Sequence, residues 1–447
     1  MTRSLETLTE ALLTAAKRAG ADAADAIAVD GIATAIDIRA EQLEQAERSE
    51  GVELGLRVLI GQRQACVSVS DTSDASIRAV AERAVAMARE APEDKYVGLA
   101  DPSQLAQGWD MAALELCDPS DEVSAAVLEA DARRAEAAAM AVGGITQVEA
   151  SASQSRRQIH MAASNGFAGG YARSSRSLSA VAFTGSGTGM ERDWAAEGRI
   201  YAADLPSAED IGLLAATRAL ERVGARQPKT GAYPVLYDER ISSGIIGHVL
   251  GAINGASIAR GSSWLRDALG TQILPRGLSV IEDPHRARIS GSRAFDGEGL
   301  PTARRAIVED GVLMGWVLDL ATGRKLGMPS SANAARGTSS PPSPGTSNID
   351  LTQGVKSRAE LLADMGTGLF VTSLIGSSIN PTTGDYSRGA SGFWVENGQI
   401  TYAVNECTIA GNLRDMLLRM TPANDARMHM STRVPSLLIE GLTLAGA

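Results

Sequence analysis

Two hydrophobic periodicities alternate along the chain. Apolar residues recur three and four positions apart over residues 5–19, 76–91, 124–141 and 207–223, the spacing of amphipathic helices. Gly20 supplies a stop for the first helix, and Ser207 is a plausible N-cap for the fourth. Between them, apolar and polar residues alternate over 25–29, 34–46, 52–60, 64–69, 147–154, 156–164, 180–187 and 197–204, as half-buried strands do. The Pro- and Asp-punctuated stretch 92–119 reads as irregular. Gly224 followed by Pro228 closes the fourth helix and marks a boundary, giving an N-terminal mixed α/β domain over 1–225 and a second domain over 226–447.

The second half is denser in strand signals, at 233–237, 279–282, 303–309, 312–318, 369–374, 392–396, 400–404 and 436–444. Asp310-Gly311 and Asn397-Gly398 lie between apolar runs, the strongest short-range hairpin signal. Residues 328–348, rich in Ser, Pro, Ala and Gly, read as a loop or partly disordered excursion, and no fixed-period repeat is visible. The fold class expected is α+β, with a β-rich, barrel- or sandwich-like C-terminal domain.

One stretch stands apart, YDERISSGIIGHVLGAINGAS at 237–257. Its apolar residues fit a largely buried helix, with Ser242 and Ser243 at the start where hydroxyls can cap free N–H groups. It carries one imidazole, His248, and four glycines, each costing about 1 kcal/mol against alanine in a helix interior. Four glycines imply close approach by another backbone or a broken turn.

Composition narrows the partners. The 447 residues carry a net charge of −11 with no cluster of Lys and Arg, which argues against direct nucleic-acid binding. No uninterrupted apolar run approaches the roughly 18 residues of a membrane span, and the N-terminus lacks a signal-peptide pattern. Cys66, Cys117 and Cys407 are odd in number and widely spaced, as reduced thiols of a cytoplasmic protein would be.

Candidate chemistry is sparse. His160, His248, His285 and His429 include no pair at HExxH spacing, and a catalytic zinc needs three protein ligands. Cys407 could join His248 in space, but two ligands do not close a site. Ser242 or Ser243 with His248 and Asp238 supplies the residue types of a triad without the G-x-S-x-G elbow. Neither a P-loop nor a dinucleotide fingerprint is present. Two polar, Gly-rich loops, GSRAFDGEGLPTARR and NPTTGDYSRGASG, place Asp296, Glu298, Tyr386 and Arg388 as candidates for a substrate or partner groove, or as turn-holding residues.

Three long segments carry a resemblance: PVLYDERISSGIIGHVLGAINGASI, SRAFDGEGLPTARRAIVEDGVLMGWVLDLATGRKLG and NPTTGDYSRGASGFWVENGQITYAVNECTIAGNL. With these the chain resembles the TldD/PmbA family, which carries the label of modulator of DNA gyrase, and within it the PmbA (TldE) branch. The resemblance implies a cytosolic two-subunit protease acting on small or unfolded peptides. In it a TldD-like partner holds zinc on an H-E-x-x-x-H helix with a cysteine near its C-terminus. On this sequence the first His falls on Ser243, the Glu on Gly244 and the second His on His248, and the cysteine region, 428–435, contains no Cys. Positions five apart on a regular helix are about 140° apart around the axis, so the catalytic version needs a bent helix. No catalytic residue, metal or cofactor is therefore expected in this chain. The expectation is a non-catalytic subunit forming a heterodimer with a TldD-like chain that carries the zinc. The alternatives are a homodimeric peptide-binding or regulatory module, and an autonomous hydrolase using His248.

Overall fold

A computed structural model describes residues 3–446, apart from the side chain of Ser377. The first half is a five-element unit used twice. It runs α1 (Leu5–Ala19), β1 (Ala23–Arg39), β2 (Gln42–Ile60), β3 (Arg63–Val69), α2 (Asp74–Glu90). The same order recurs as α3 (Ala125–Met140), β4 (Ile145–Ala163), β5 (Ala168–Thr184), β6 (Glu191–Arg199), α4 (Ala208–Glu221). All six strands form one antiparallel sheet in the order β3-β2-β1-β4-β5-β6, so the two units meet at the central β1–β4 pair.

Local chemistry explains the helix ends. The Ser4 hydroxyl accepts the Thr7 N–H at 3.2 Å and Gly20 takes φ +98° at the other end of α1; Ser207 caps α4 by accepting the Asp210 N–H. The pairs α1/α2 and α3/α4 cover one apolar cluster each, Leu8, Leu12, Leu54, Leu56 and Val80 in the first and Leu128, Val148, Leu178 and Ile211 in the second. Helices α3 and α4 approach so closely that a Cβ on Gly212 would meet the Ala135 carbonyl oxygen at 2.0 Å.

The strands differ from the sequence expectation in length. Segment 34–46 is not one strand: Ala40 and Glu41, both at positive φ, turn β1 into β2. Segments 147–154 and 156–164 are one strand, β4, and β5 includes the polar stretch 171–179 that carries no apolar alternation.

The second half begins with β7 (Gly231–Tyr237), α5 (Glu239–Ala252) and α6 (Gly255–Arg260). Short elements follow: β8 (Val280–Glu282), β9 (Arg305–Glu309), β10 (Val312–Leu313), α7 (Leu320–Leu326), β11 (Ala334–Ala335), β12 (Ser343–Pro344), β13 (Ile349–Leu351) and α8 (Arg358–Met365). Long strands then return in β14 (Gly368–Ile379), β15 (Asp385–Glu396) and β16 (Gln399–Asn412), and the last elements are α9 (Leu413–Leu418), β17 (Met420–Pro422), β18 (Thr432–Arg433) and β19 (Leu437–Ala445). Strands β16-β15-β14-β7-β19 close on themselves through the Thr408↔Ala445, Ile409↔Leu444 and Ala410↔Thr443 rungs, a five-stranded barrel. The architecture is thus α+β, with a mixed N-terminal half and a barrel in the β-rich half. Both predicted turns are present, with Asp310 and Gly311, and Asn397 and Gly398, all at positive φ.

The two halves are joined by buried charge. Asp25 on β1 accepts from the Arg57 Nε of β2 at 2.7 Å and pairs with Arg336, which reaches in from segment 328–348. That segment is ordered rather than a loose excursion: β11 pairs with β12, and the Thr338 hydroxyl donates to Glu53 at 2.6 Å. Beside it Trp109, Phe167 and Tyr171 each pack edge to face on Phe295, with ring centroids 4.9 to 5.8 Å apart.

Two substitutions check this packing. Asp25→Ala leaves two buried guanidiniums unpaired and is expected to destabilise the chain by about 3–5 kcal/mol in urea unfolding. Gly212→Ala is expected to cost about 1–3 kcal/mol, because overpacking against a backbone oxygen outweighs the better helix propensity of alanine. An unchanged unfolding midpoint in either variant contradicts the assigned contact.

Candidate functional site

The site is built on α5. Its N-cap is Asp238, which accepts the Arg240 N–H at 3.0 Å and pairs with the Arg240 and Arg358 guanidiniums; Ser242 and Ser243 do not cap it. Ser242 is buried and donates to the Val434 carbonyl at 3.2 Å. This ties the start of α5 to the segment where the family resemblance places a cysteine ligand.

Helix α5 runs without a break to Ala252, and Asn254 then caps α6 by accepting the Ala256 N–H. Ile245, Ile246 and Val249 are buried on one face. Gly244, Gly247 and Gly251 lie exposed, and a Cβ on any of them would meet nothing within 4 Å. Of the four glycines only Gly255 answers to close packing, since a Cβ there would meet the Leu318 side chain at 2.6 Å and the Val317 carbonyl at 2.9 Å.

His248 is half-buried, its ring against that of Tyr386 at 5.9 Å and 74°. Burial, and then the Arg388 guanidinium, hold the imidazole below the usual histidine range, so it is neutral at neutral pH. Tyr237, at the end of β7, and Tyr386, on β15, are buried with their hydroxyls beside each other and bonded to no other group among the described residues, and the Arg388 Nε is buried without a partner. Burial first of all raises both phenols. Cys407 is a buried thiol that donates to the Ala390 carbonyl at 3.2 Å, and burial pushes it up to about 11.

These residues do not fit zinc. A regular α5 sets positions 243 and 248 about 140° apart around its axis, and Ser243 and Gly244 bring neither an imidazole nor a carboxylate. Cys407 is a protonated thiol engaged with a carbonyl, and Arg388 is a cation beside His248. Among the described residues no group of three or more His, Cys, Asp or Glu is placed to hold a metal ion. The other imidazoles lie elsewhere: His160 bonds Thr9, His285 bonds Thr302, and the His429 Nε2 lies 3.0 Å from Glu197.

The four groove candidates separate into two pairs. Tyr386 and Arg388 sit beside His248. Asp296 is 2% exposed and holds its own loop, accepting the N–H groups of Glu298, Leu300 and Ala334 at 2.9 to 3.0 Å. Glu298 accepts the Leu320 N–H at 2.8 Å, and burial together with the Asp296 charge pushes its carboxyl up to about 8. Glu298 shares a small pocket with Asp25, Arg57 and Arg336 at the junction with the N-terminal sheet, and Asp296 holds the loop that carries it.

A cavity of about 780 Å³ opens between that sheet and the second half, and the sequence reading did not find it. Its walls include Ser175, Ser177 and Ser179 of β5, Trp194 and Glu197 of β6, and the segment carrying Arg427 and His429. Arg427 also pairs with Glu239 in the first turn of α5 at 2.7 Å, so cavity and motif helix share a wall. The available signal was the serine alternation along β5, which places hydroxyls on one face of a strand.

The chain matches three family models: PmbA/TldA metallopeptidase domain 1 over residues 24–88, the central domain over 118–223 and the C-terminal domain over 230–446. It is 35% identical to the metalloprotease PmbA of Escherichia coli O157:H7 over 98% of this chain and 96% of that one. It is also 35% identical to a Haemophilus influenzae PmbA homologue over 96% and 94%. Among solved structures, a Bacteroides thetaiotaomicron protein described as a modulator of DNA gyrase superposes with a TM-score of 0.92 at 26% identity, covering 99% of this chain and 98% of that one. TldE from Thermococcus kodakarensis shares the fold, with a TM-score of 0.84 at 19% identity and coverage of 98% and 100%.

The donor set yields a direct expectation. The purified chain, loaded with zinc and dialysed against metal-free buffer, should retain well under one equivalent by atomic absorption. Retention near one equivalent that disappears in His248→Ala would overturn this account of α5.

Proposed function

Because the chain belongs to the PmbA/TldD metallopeptidase family, we propose that it is the TldE-like, non-catalytic subunit of a two-subunit peptidase and forms one wall of its peptide chamber. The observation that carries this reading is the pairing of an intact α5 with a donor set that does not fit zinc. The helix occupies the place of the family's zinc helix but lacks its bend, and Gly244 stands where a general base is required and Ser243 where a ligand is. The zinc and the water it activates would come from a TldD-like partner.

The exposed glycine face of α5 suits docking of that partner, since bare backbone admits another chain at short range. The cavity suits an extended peptide. Strand β6 is the last strand of its sheet, and its residues 194 and 196–199 line the cavity, so a peptide could add alongside it. Strand addition recognises backbone and tolerates many sequences, as the processing of unfolded peptides requires. With three cysteines that form no disulfide, the chain is assigned to the cytoplasm.

The test is a peptidase assay of this chain, of a TldD-type chain and of their mixture, with metal content and mass measured in parallel. A stoichiometric complex that cleaves unfolded peptide, with activity lost when the partner's zinc is chelated, is the expected result. A persistent homodimer that binds peptide without joining the partner would favour a regulatory module instead. Cleavage by this chain alone, abolished in His248→Ala, would sink the non-catalytic assignment.

A further inference from the structure

The walls of the cavity carry six arginines, Arg157, Arg173, Arg176, Arg199, Arg288 and Arg427, against one carboxylate, Glu197, in a chain whose net charge is −11. Most are neutralised at close range: Arg176 by Asp131, Arg288 by Glu115 and Asp204, Arg427 by Glu239, and Arg199 by Glu197. Arg157 and Arg173 are different. They stand directly opposite each other on β4 and β5, and neither has a carboxylate partner among the described residues.

Like charges facing each other across a strand pair destabilise a sheet. Arg173 is held in place all the same: it donates to the Ser290 carbonyl at 2.6 Å and to that of Ser292, and lies 5.0 Å over the Tyr171 ring. Those two bonds leave three of its five N–H donors free. Arg157 is exposed and free. The next rung on the same face, Ser155↔Ser175, adds two hydroxyls 2.9 Å apart. A recess with low-dielectric walls concentrates such a field.

We propose that this cross-strand arginine pair binds a carboxylate of the peptide in the chamber, so that the subunit favours acidic peptides. The proposal rests on the chamber reading above and gives it a substrate class. A carboxylate placed between Arg157 and Arg173 takes charge-assisted hydrogen bonds from both guanidiniums and relieves their repulsion. The carboxylate can come from an Asp or Glu side chain or from a free C-terminus.

Fluorescence anisotropy with the full chain tests this, using labelled, unstructured ten-residue peptides that carry either two Glu or two Gln, each with a free or an amidated C-terminus. The Glu peptide is expected to bind about tenfold tighter at low salt, with the preference collapsing at high ionic strength as screening shortens the field. Arg157→Gln and Arg173→Gln should each remove most of that preference and leave binding of the amidated Gln peptide unchanged, and Arg157→Lys should retain part of it. Arg157 has no structural partner, so its variant stays informative even if Arg173→Gln disturbs the loop at Ser290. A preference that follows the free C-terminus alone assigns the pair to peptide ends. Equal binding of all peptides, or a Glu preference untouched by both glutamine variants, overturns the proposal while leaving the chamber reading standing. Binding of none of the peptides overturns both.

Discussion

Asp25 holds two guanidiniums that come from distant parts of the chain, and the relation between the two halves depends on it. Arg57 lies on the neighbouring strand, but Arg336 arrives from the barrel half. All three side chains are nearly sealed from solvent, so their charges are worth little unless they meet. The segment that delivers Arg336 also lies flat on β2, where a Cβ on Gly55 would meet the Thr338 oxygen at 2.2 Å. A carboxylate, a glycine and four aromatic rings thus hold the N-terminal sheet against the second half.

That arrangement separates shape from chemistry. α5 has its cap, its buried apolar face and its tether to Val434, so the helix at the place of the zinc motif is fully built. The positions matching the zinc motif hold an exposed glycine, a hydroxyl, and a neutral imidazole against a tyrosine ring. Family membership accounts for the metallopeptidase shape, and Ser243 and Gly244 account for the missing imidazole and carboxylate.

How much of this could be read from the residues varied with the physical cause. Helix α1 was legible at both ends, because Leu8, Leu12 and Ala16 repeat at helical spacing and Gly20 terminates it. The Asn397-Gly398 turn was legible because only a positive-φ pair matches the twist of its strands. Strand β5 was not, since Ser175, Ser177 and Ser179 face a cavity and burial imposes no apolar pattern there. Ser242 looked like a cap, and the true cap, Asp238, was visible four residues earlier among charged neighbours that obscured it. Asp296 and Glu298 stood out as carboxylates among glycines, but sequence cannot say which side of a loop a carboxylate faces. Segment 328–348 looked loose because its order comes from contacts with β2, more than 280 positions away at Thr338–Glu53.

The barrel also has a bearing on synthesis. β7 is made early in the second half, yet one of its two neighbours is β19, the last strand, and the ring is sealed only when β19 also meets β16. α5 follows β7 directly, so its apolar face waits for nearly two hundred further residues before its surroundings are whole. A nascent chain stalled before residue 437 would therefore display Ile245, Ile246 and Val249 without a finished core, an exposed surface of the sort that chaperones and degradation machinery engage. Joining the first strand of the barrel to its last makes a finished setting for α5 conditional on synthesis having reached β19.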